Sequence, residues 1–200
     1  QEVTLEYPVM LLTGPRQVGK TTMLMKLMKG SERSYVTLDD LSERALAKSD
    51  PELFLQLHKP PVLIDEVQYA PELFTYIKIY VDQHHTPGSF WLTGSQAFKL
   101  MRGIQESLAG RVAVLSMTCL TQAESCGESV TPFTVYLESL TERAKHRQAA
   151  DAHALFERIF KGSMPALLSG SVSNSQIFYS SYISTYMNAM LKIFPIPSTL

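Results

Sequence analysis

Cysteine is scarce: Cys119 and Cys126 are the only two in 200 residues. They are too few for a disulfide framework and wrongly spaced for zinc, and they read as two buried, reduced thiols of a cytoplasmic protein. Charge of one sign is lacking too. Eighteen Lys and Arg face 19 Asp and Glu, a net charge of -1, so no global field draws the chain to nucleic acid or anionic lipid. No window approaches the ~18 apolar residues of a transmembrane helix, and the longest runs, such as Pro8–Leu12, are short and strand-like. Gln1-Glu2-Val3-Thr4 has no basic stretch of a signal peptide. The five histidines (58, 84, 85, 146 and 153) show no metal-ligand spacing with Cys or carboxylates. No Gly-x-Ser-x-Gly elbow and no Asn-Lys-x-Asp guanine-reading motif occurs. With no initiator Met, and a last helical stretch reaching Ile196–Leu200 without a stop signal, the chain reads as a fragment of a longer protein.

What is present is an ordinary globular composition, 45% hydrophobic and 18% charged. A chain of this length buries roughly 70% of its unfolded surface, enough for a core without metal or disulfides. The first 120 residues alternate short apolar runs with helical segments, the pattern of an α/β fold with a parallel sheet. Strands are expected at Val9–Thr13, Tyr35–Leu38, Val62–Ile64, Phe90–Thr93 and Val112–Met117. Their unbroken apolar character suits strands covered on both faces, hence about five strands with helices on each side. Helices are expected at Lys20–Lys29, Leu41–Ala47, Pro51–Leu57, Pro71–Gln83 and Gln96–Leu108. Pro-Glu-Leu-Phe occurs at 51–54 and again at 71–74, each copy with Pro at a first helical position. Gly30 suits a helix C-cap and Asp50 an N-cap. After Met117 the texture shifts to Ser, Thr, Gly and Glu. The reading is a domain over 1–125 and a partial helical region over 126–200, the start of a second part.

Gly14-Pro15-Arg16-Gln17-Val18-Gly19-Lys20-Thr21 satisfies the phosphate-loop pattern G-x-x-x-x-G-K-[ST] in strand–loop–helix order. The glycines let backbone approach phosphate oxygens without a Cβ in the way. Successive N–H groups and the helix N-terminus then form an anion site. Lys20 is placed to reach the β- and γ-phosphates and Thr21 to ligate Mg²⁺. Arg16 and Gln17 read as solvent-facing loop residues, with phosphate contact the alternative.

Val62-Leu63-Ile64-Asp65-Glu66 is a buried-type strand ending in two carboxylates at the sheet edge where ligands bind in open α/β folds. Asp65 would hold Mg²⁺, directly or through water, and Glu66 would orient and deprotonate the attacking water. Phe90-Trp91-Leu92-Thr93-Gly94-Ser95 ends in small polar residues. Thr93 or Ser95 either senses the γ-phosphate or ends a strand and caps a helix. Arg111 reads either as an arginine finger, in cis or across a subunit interface, or as an Arg packed against a helix terminus or a carboxylate.

Residues 12–22, Leu-Thr-Gly-Pro-Arg-Gln-Val-Gly-Lys-Thr-Thr, resemble the AAA+-like P-loop ATPases of prokaryotes that carry a C-terminal domain of unknown function. So do Tyr-Val-Thr-Leu-Asp-Asp (35–40), Leu-Ile-Asp-Glu-Val-Gln-Tyr-Ala-Pro-Glu-Leu-Phe (63–74), Leu-Thr-Gly-Ser-Gln (92–96) and Ser-Leu-Ala-Gly-Arg-Val (107–112). The likeness covers residues 8–125 well and Phe160–Tyr186 loosely. It implies a Walker A loop at Gly14–Thr22, a Walker B pair at Asp65 and Glu66, a sensor at Ser95 and a Gly-Arg position at Arg111. Gly162-Ser163-Met164-Pro165 and Met187-Asn188-Ala189-Met190 depart from the family's usual Gly-Gly-aromatic-Pro turn and acidic-basic cluster. The expected function is MgATP binding with hydrolysis as a molecular switch. The alternatives are a nucleotide-dependent binding module with little hydrolysis, or an inactive fragment. The expected partners are ATP and a second copy of the chain, with no membrane and no nucleic acid supported by this stretch.

Overall fold

A computed structural model describes residues 2–95, 104, 107–128, 134–145 and 151–193. The chain forms two compact units, Gln1–Thr118 and Cys119–Leu200.

In the first unit, β1 (Val9–Thr13), β2 (Ser34–Thr37), β3 (Val62–Asp65), β4 (Phe90–Gly94) and β5 (Val112–Ser116) form a parallel sheet in the order β2-β3-β4-β1-β5. Every pairing is parallel: Val9 stands beside both Phe90 and Val112, and Val62 beside both Ser34 and Phe90. Strands β1, β3 and β4 are buried throughout, which is why their sequences are apolar without alternation. Successive strand residues face opposite ways, so each face receives its own layer. Val9, Leu11, Val62, Ile64, Phe90 and Leu92 pack on one face with Ala47, Phe54, Phe74, Ile77 and Val81. Those partners belong to α3 (Leu41–Ser49), α4 (Pro51–Leu57) and α5 (Leu73–His84), which follow α1 (Val3–Glu6) and α2 (Lys20–Leu27). Met10, Leu12, Leu63 and Trp91 pack on the other face with Leu24 of α2, and Met23, Met28 and Met117 lie against them. The methionine-rich first helix thus supplies packing, although Met25 is exposed.

Side-chain caps start α3 and α4. Asp40 accepts from the Ser42 and Glu43 amides, and Asp50 from Leu53, with Pro51 opening α4. The second Pro-Glu-Leu-Phe behaves differently: Pro71 and Glu72 lie in a turn and α5 begins at Leu73. Gly30 falls beyond the cap of α2, which is Met28. The expected helix 96–108 lies mostly outside the described residues; within it, Ile104 and Leu108 are buried in the core.

The second unit is helical: α6 (Gln122–Ser125), α7 (Leu137–Lys145), α8 (Ala152–Lys161), α9 (Pro165–Leu168) and α10 (Ser175–Ile193). Thr121 and Glu124 form a reciprocal capping box at α6. Gly162 turns the chain at φ +70, where the Tyr179 hydroxyl crosses to donate to the Lys161 carbonyl at 3.1 Å. The two thiols are not both buried: Cys119 is half-buried and Cys126 is exposed, because Cys126 caps the C-terminus of the one-turn helix α6 on the surface. Among the described residues, no helix is long and apolar enough to cross a membrane.

Candidate functional site

The site lies at the carboxyl edge of the sheet, where β1 leads into the phosphate loop and β3 and β4 end. Strand β4 lies between β1 and β3, so Thr93 and Ser95 fall between the loop and the acidic pair.

The loop from Gly14 to Gly19 uses backbone shapes that explain its residue types. Gly14 has φ +147, and a Cβ there would stand 2.1 Å from the Met117 carbonyl oxygen. Gln17 and Gly19 also take positive φ, 61 and 97. Val18 is buried and anchors the loop, while Pro15, Arg16 and Gln17 are exposed. Gly19 caps α2, whose first residue is Lys20, so free backbone N–H groups at the helix start face the same space as the loop.

Lys20 is 6% exposed. Its Nζ donates to the carbonyls of Gly14 (2.9 Å) and Pro15 (2.8 Å). Burial lowers its pKa from the ordinary lysine value; the charges of Glu66 and Asp65 oppose that shift and Arg16 adds to it. Thr21 Oγ1 donates to both Asp65 oxygens, at 3.1 and 3.0 Å. Thr22, the next residue of α2, is exposed.

Asp65 is a buried carboxylate held by hydroxyls. Besides Thr21, it accepts from Thr93 Oγ1 and from the Tyr35 hydroxyl (3.2 Å). Burial, and then the Asp65 charge, raise the Tyr35 pKa, which keeps that donor protonated. Glu66 follows in a left-handed conformation, φ 57 and ψ 42, and opens a 3-10 turn over Val67–Tyr69. Its amide donates to Thr93 Oγ1 at 3.2 Å. Its carboxylate accepts from Gln68 Nε2 and, at 3.4 Å, from Ser95 Oγ. Arg16 Nε donates to the same Ser95 oxygen at 3.5 Å. Arg16, Gln17, Gly19, Lys20, Thr21, Asp39, Glu66 and Tyr69 line one cleft of about 330 Å³.

Arg111 is elsewhere. It precedes β5 and therefore stands at the amino edge of the sheet, a five-residue strand, or about 16 Å, from the loop edge. There its guanidinium pairs with Asp82 of α5, Nε to Oδ1 at 2.5 Å and a second bond at 3.0 Å. Of the two readings open to it, packing against a carboxylate is the one seen within the chain.

Three residues escaped sequence reasoning. Gln68 and Tyr35 sit inside the quoted motifs, but their roles depend on a 3-10 turn and on which strands are neighbours. Asp39 also lies inside a quoted motif, yet Asp40 alone caps α3 and Asp39 faces the cleft.

The donor set fits a magnesium ion. A hydroxyl and a carboxylate, both hard oxygen donors, lie 3.0 Å apart, close to the edge of an octahedron with bonds of about 2.1 Å.

The parallel five-stranded sheet, the glycine loop and the buried lysine at its helix start define a P-loop NTPase. The AAA domain family model matches residues 6–126, and the chain belongs to that family. Two mycobacterial proteins, uncharacterized protein Rv2008c of Mycobacterium tuberculosis and uncharacterized protein Mb2031c of Mycobacterium bovis, are each 37% identical over 114 residues. That stretch is 57% of this chain and 26% of each relative, so the match spans about a quarter of their length. Among solved structures, the Walker-type ATPase PABY2304 of Pyrococcus abyssi superposes over 96% of this chain and 71% of its own, with a TM-score of 0.52 at 15% identity. That likeness is one of fold.

Proposed function

We propose that this chain binds MgATP in the cleft and hydrolyses it to ADP and phosphate as a molecular switch in the cytoplasm. The observation that carries this reading is the meeting of Lys20, the Thr21–Asp65 pair and Glu66 at one edge of the sheet, around the cleft. Loop amides and the N-terminus of α2 receive the β- and γ-phosphates, and Lys20 exchanges the Gly14 and Pro15 carbonyls for phosphate oxygens. Thr21 and Asp65 would hold Mg²⁺, which when bound neutralises charge on the phosphates. Glu66 takes the proton of the attacking water. Ser95, which Arg16 reaches and which donates to Glu66, would sense the γ-phosphate together with Arg16. Arg111 would assist only from a neighbouring copy of the chain.

The test is Mg²⁺-dependent ATP turnover across a protein dilution series, with Lys20→Ala and Glu66→Gln alongside. Lys20→Ala is expected to weaken nucleotide binding, and Glu66→Gln to keep binding and lose turnover. Turnover per chain that rises with concentration would place a residue of a second copy in the site. Wild-type turnover in Glu66→Gln refutes the assignment of the base. Nucleotide binding without turnover in the unmodified chain would make it a binding module instead.

A further inference from the structure

Gln68 is nine-tenths buried, 8% exposed, directly after the acidic pair, and the phosphate chemistry above makes no use of it. Its Nε2 donates to Glu66 Oε2 and, at 3.5 Å, to Ser95 Oγ. Its Oε1 is buried and finds no donor among the described residues. An amide placed to satisfy itself would pair both ends. Among the described residues, this one is held through its N–H groups, by Glu66 and Ser95.

The turn that carries Gln68 does not need the side chain. Backbone bonds from Tyr69 to Glu66 and from Ala70 to Val67, each 3.1 Å, close it. The left-handed Glu66 starts that turn, and the turn carries residue 68 back to the residue 66 carboxylate. Ser95, just past the end of β4, touches the same carboxylate oxygen, so Glu66 is gripped by an amide and a hydroxyl from two segments.

We propose that Gln68 is a positioning residue that fixes the Glu66 carboxylate for attack by water, so that the rate of hydrolysis depends on it and nucleotide affinity does not. The inference rests on the hydrolytic reading of Glu66. Loss of the amide frees the carboxylate to rotate away from the water, and misplacement by an ångström lowers rates by roughly a hundredfold.

The experiment is a double-mutant cycle on the full 200-residue chain. Turnover at saturating MgATP and the nucleotide Kd are measured for Gln68→Met, Glu66→Gln and the pair. Gln68→Met keeps shape and removes the donor. It is expected to lower kcat roughly ten- to a hundredfold with Kd within about twofold, and to change nothing further once Glu66 is Gln. Gln68→Glu sets an acceptor against the carboxylate in the same shape, and it is expected to lose kcat likewise if Gln68→Met fails to fold. Wild-type kcat in these variants, with Glu66→Gln inactive, overturns the inference alone. So does a full multiplicative loss in the double variant, measured against the residual single-turnover rate of Glu66→Gln, because Gln68 would then act independently of Glu66. Wild-type turnover in Glu66→Gln, or none in the unmodified chain, overturns the hydrolytic reading and this inference with it.

Discussion

Gly14→Ala tests the loop geometry most directly, because the structure supplies both its strain and its control. The new Cβ would meet the Met117 carbonyl oxygen at 2.1 Å and would have to adopt φ +147. That carbonyl cannot simply withdraw, since the Met117 amide is bonded to the Thr13 carbonyl at 2.8 Å and continues the β1–β5 ladder. Backbone strain of this kind costs about 1–3 kcal/mol and overpacking about as much again. A total near 3 kcal/mol would lower Tm by roughly 10–15 °C in a unit of this size. Gly30→Ala is the control: it takes φ +81 with nothing within 4 Å of the new atom, so only the left-handed penalty of about 1 kcal/mol applies. Trp91 is the only tryptophan in the chain and is buried in the first unit, so its fluorescence reports the melting of that unit. Gly14→Ala should melt well below Gly30→Ala and lose nucleotide binding at temperatures where it is still folded. Equal shifts in the two variants would refute the close approach of loop and strand.

Lys20→Met should abolish nucleotide binding while the nucleotide-free chain stays folded, since relief of a buried ammonium's desolvation offsets the lost bonds to the Gly14 and Pro15 carbonyls. The sign with pH follows: burial holds the folded Lys20 pKa below 10.5. Between that lowered value and 10.5 the unfolded chain binds the extra proton, and stability contributed by this residue rises with pH. Chemical denaturation from pH 8 to 10.5 should show that rise in the difference between wild type and Lys20→Met. Thr21→Ser should retain magnesium-dependent nucleotide binding while Thr21→Val loses tenfold or more, on the order of one charge-assisted contact; equal affinities, read by titration with and without Mg²⁺, would remove Thr21 from the cation site. Arg111→Ala in dilute protein should leave MgATP affinity unchanged, because Arg111 is paired with Asp82 at the opposite edge. A loss of affinity there would contradict the strand direction.

Most of the sheet was legible in the residues, and for one physical reason. Strands buried on both faces must be apolar at every position, so Val9–Thr13 and Phe90–Gly94 stood out without any alternation. The loop was legible because Gly14 and Gly19 are required by backbone shape, and that requirement writes itself as a fixed spacing. Arg111 shows what spacing alone omits. Gly14, Glu66 and Ser95 follow their strands, whereas Arg111 precedes one, and in a parallel sheet that order puts it at the other edge. The signal was present, but it needed strand direction, not motif order. Gln68 and Tyr35 were less accessible. Tyr35 reaches Asp65 only because β2 and β3 are neighbours, and Gln68 reaches Glu66 only through the turn.

The two halves of the site differ in how ready they are for a ligand. Asp65 is a buried carboxylate whose partners are hydroxyls of Thr21, Thr93 and Tyr35. Such groups offset the loss of hydration without supplying a counter-charge. A hydroxyl also keeps lone pairs after giving its hydrogen, so Thr21 can go on donating to Asp65 while its oxygen faces a cation. On the proposed reading, the acidic half already holds its two oxygen ligands side by side. The basic half does: Lys20 is spent on the Gly14 and Pro15 carbonyls and must release them to meet a phosphate. Nucleotide without metal thus exchanges two neutral acceptors for charged ones at Lys20 and leaves the hydroxyl cage intact, while metal without nucleotide finds two protein ligands and little else. On the proposed reading, each half alone should bind weakly. Binding should be strong only for the pair, which ties the occupied state of the cleft to MgATP and not to either component.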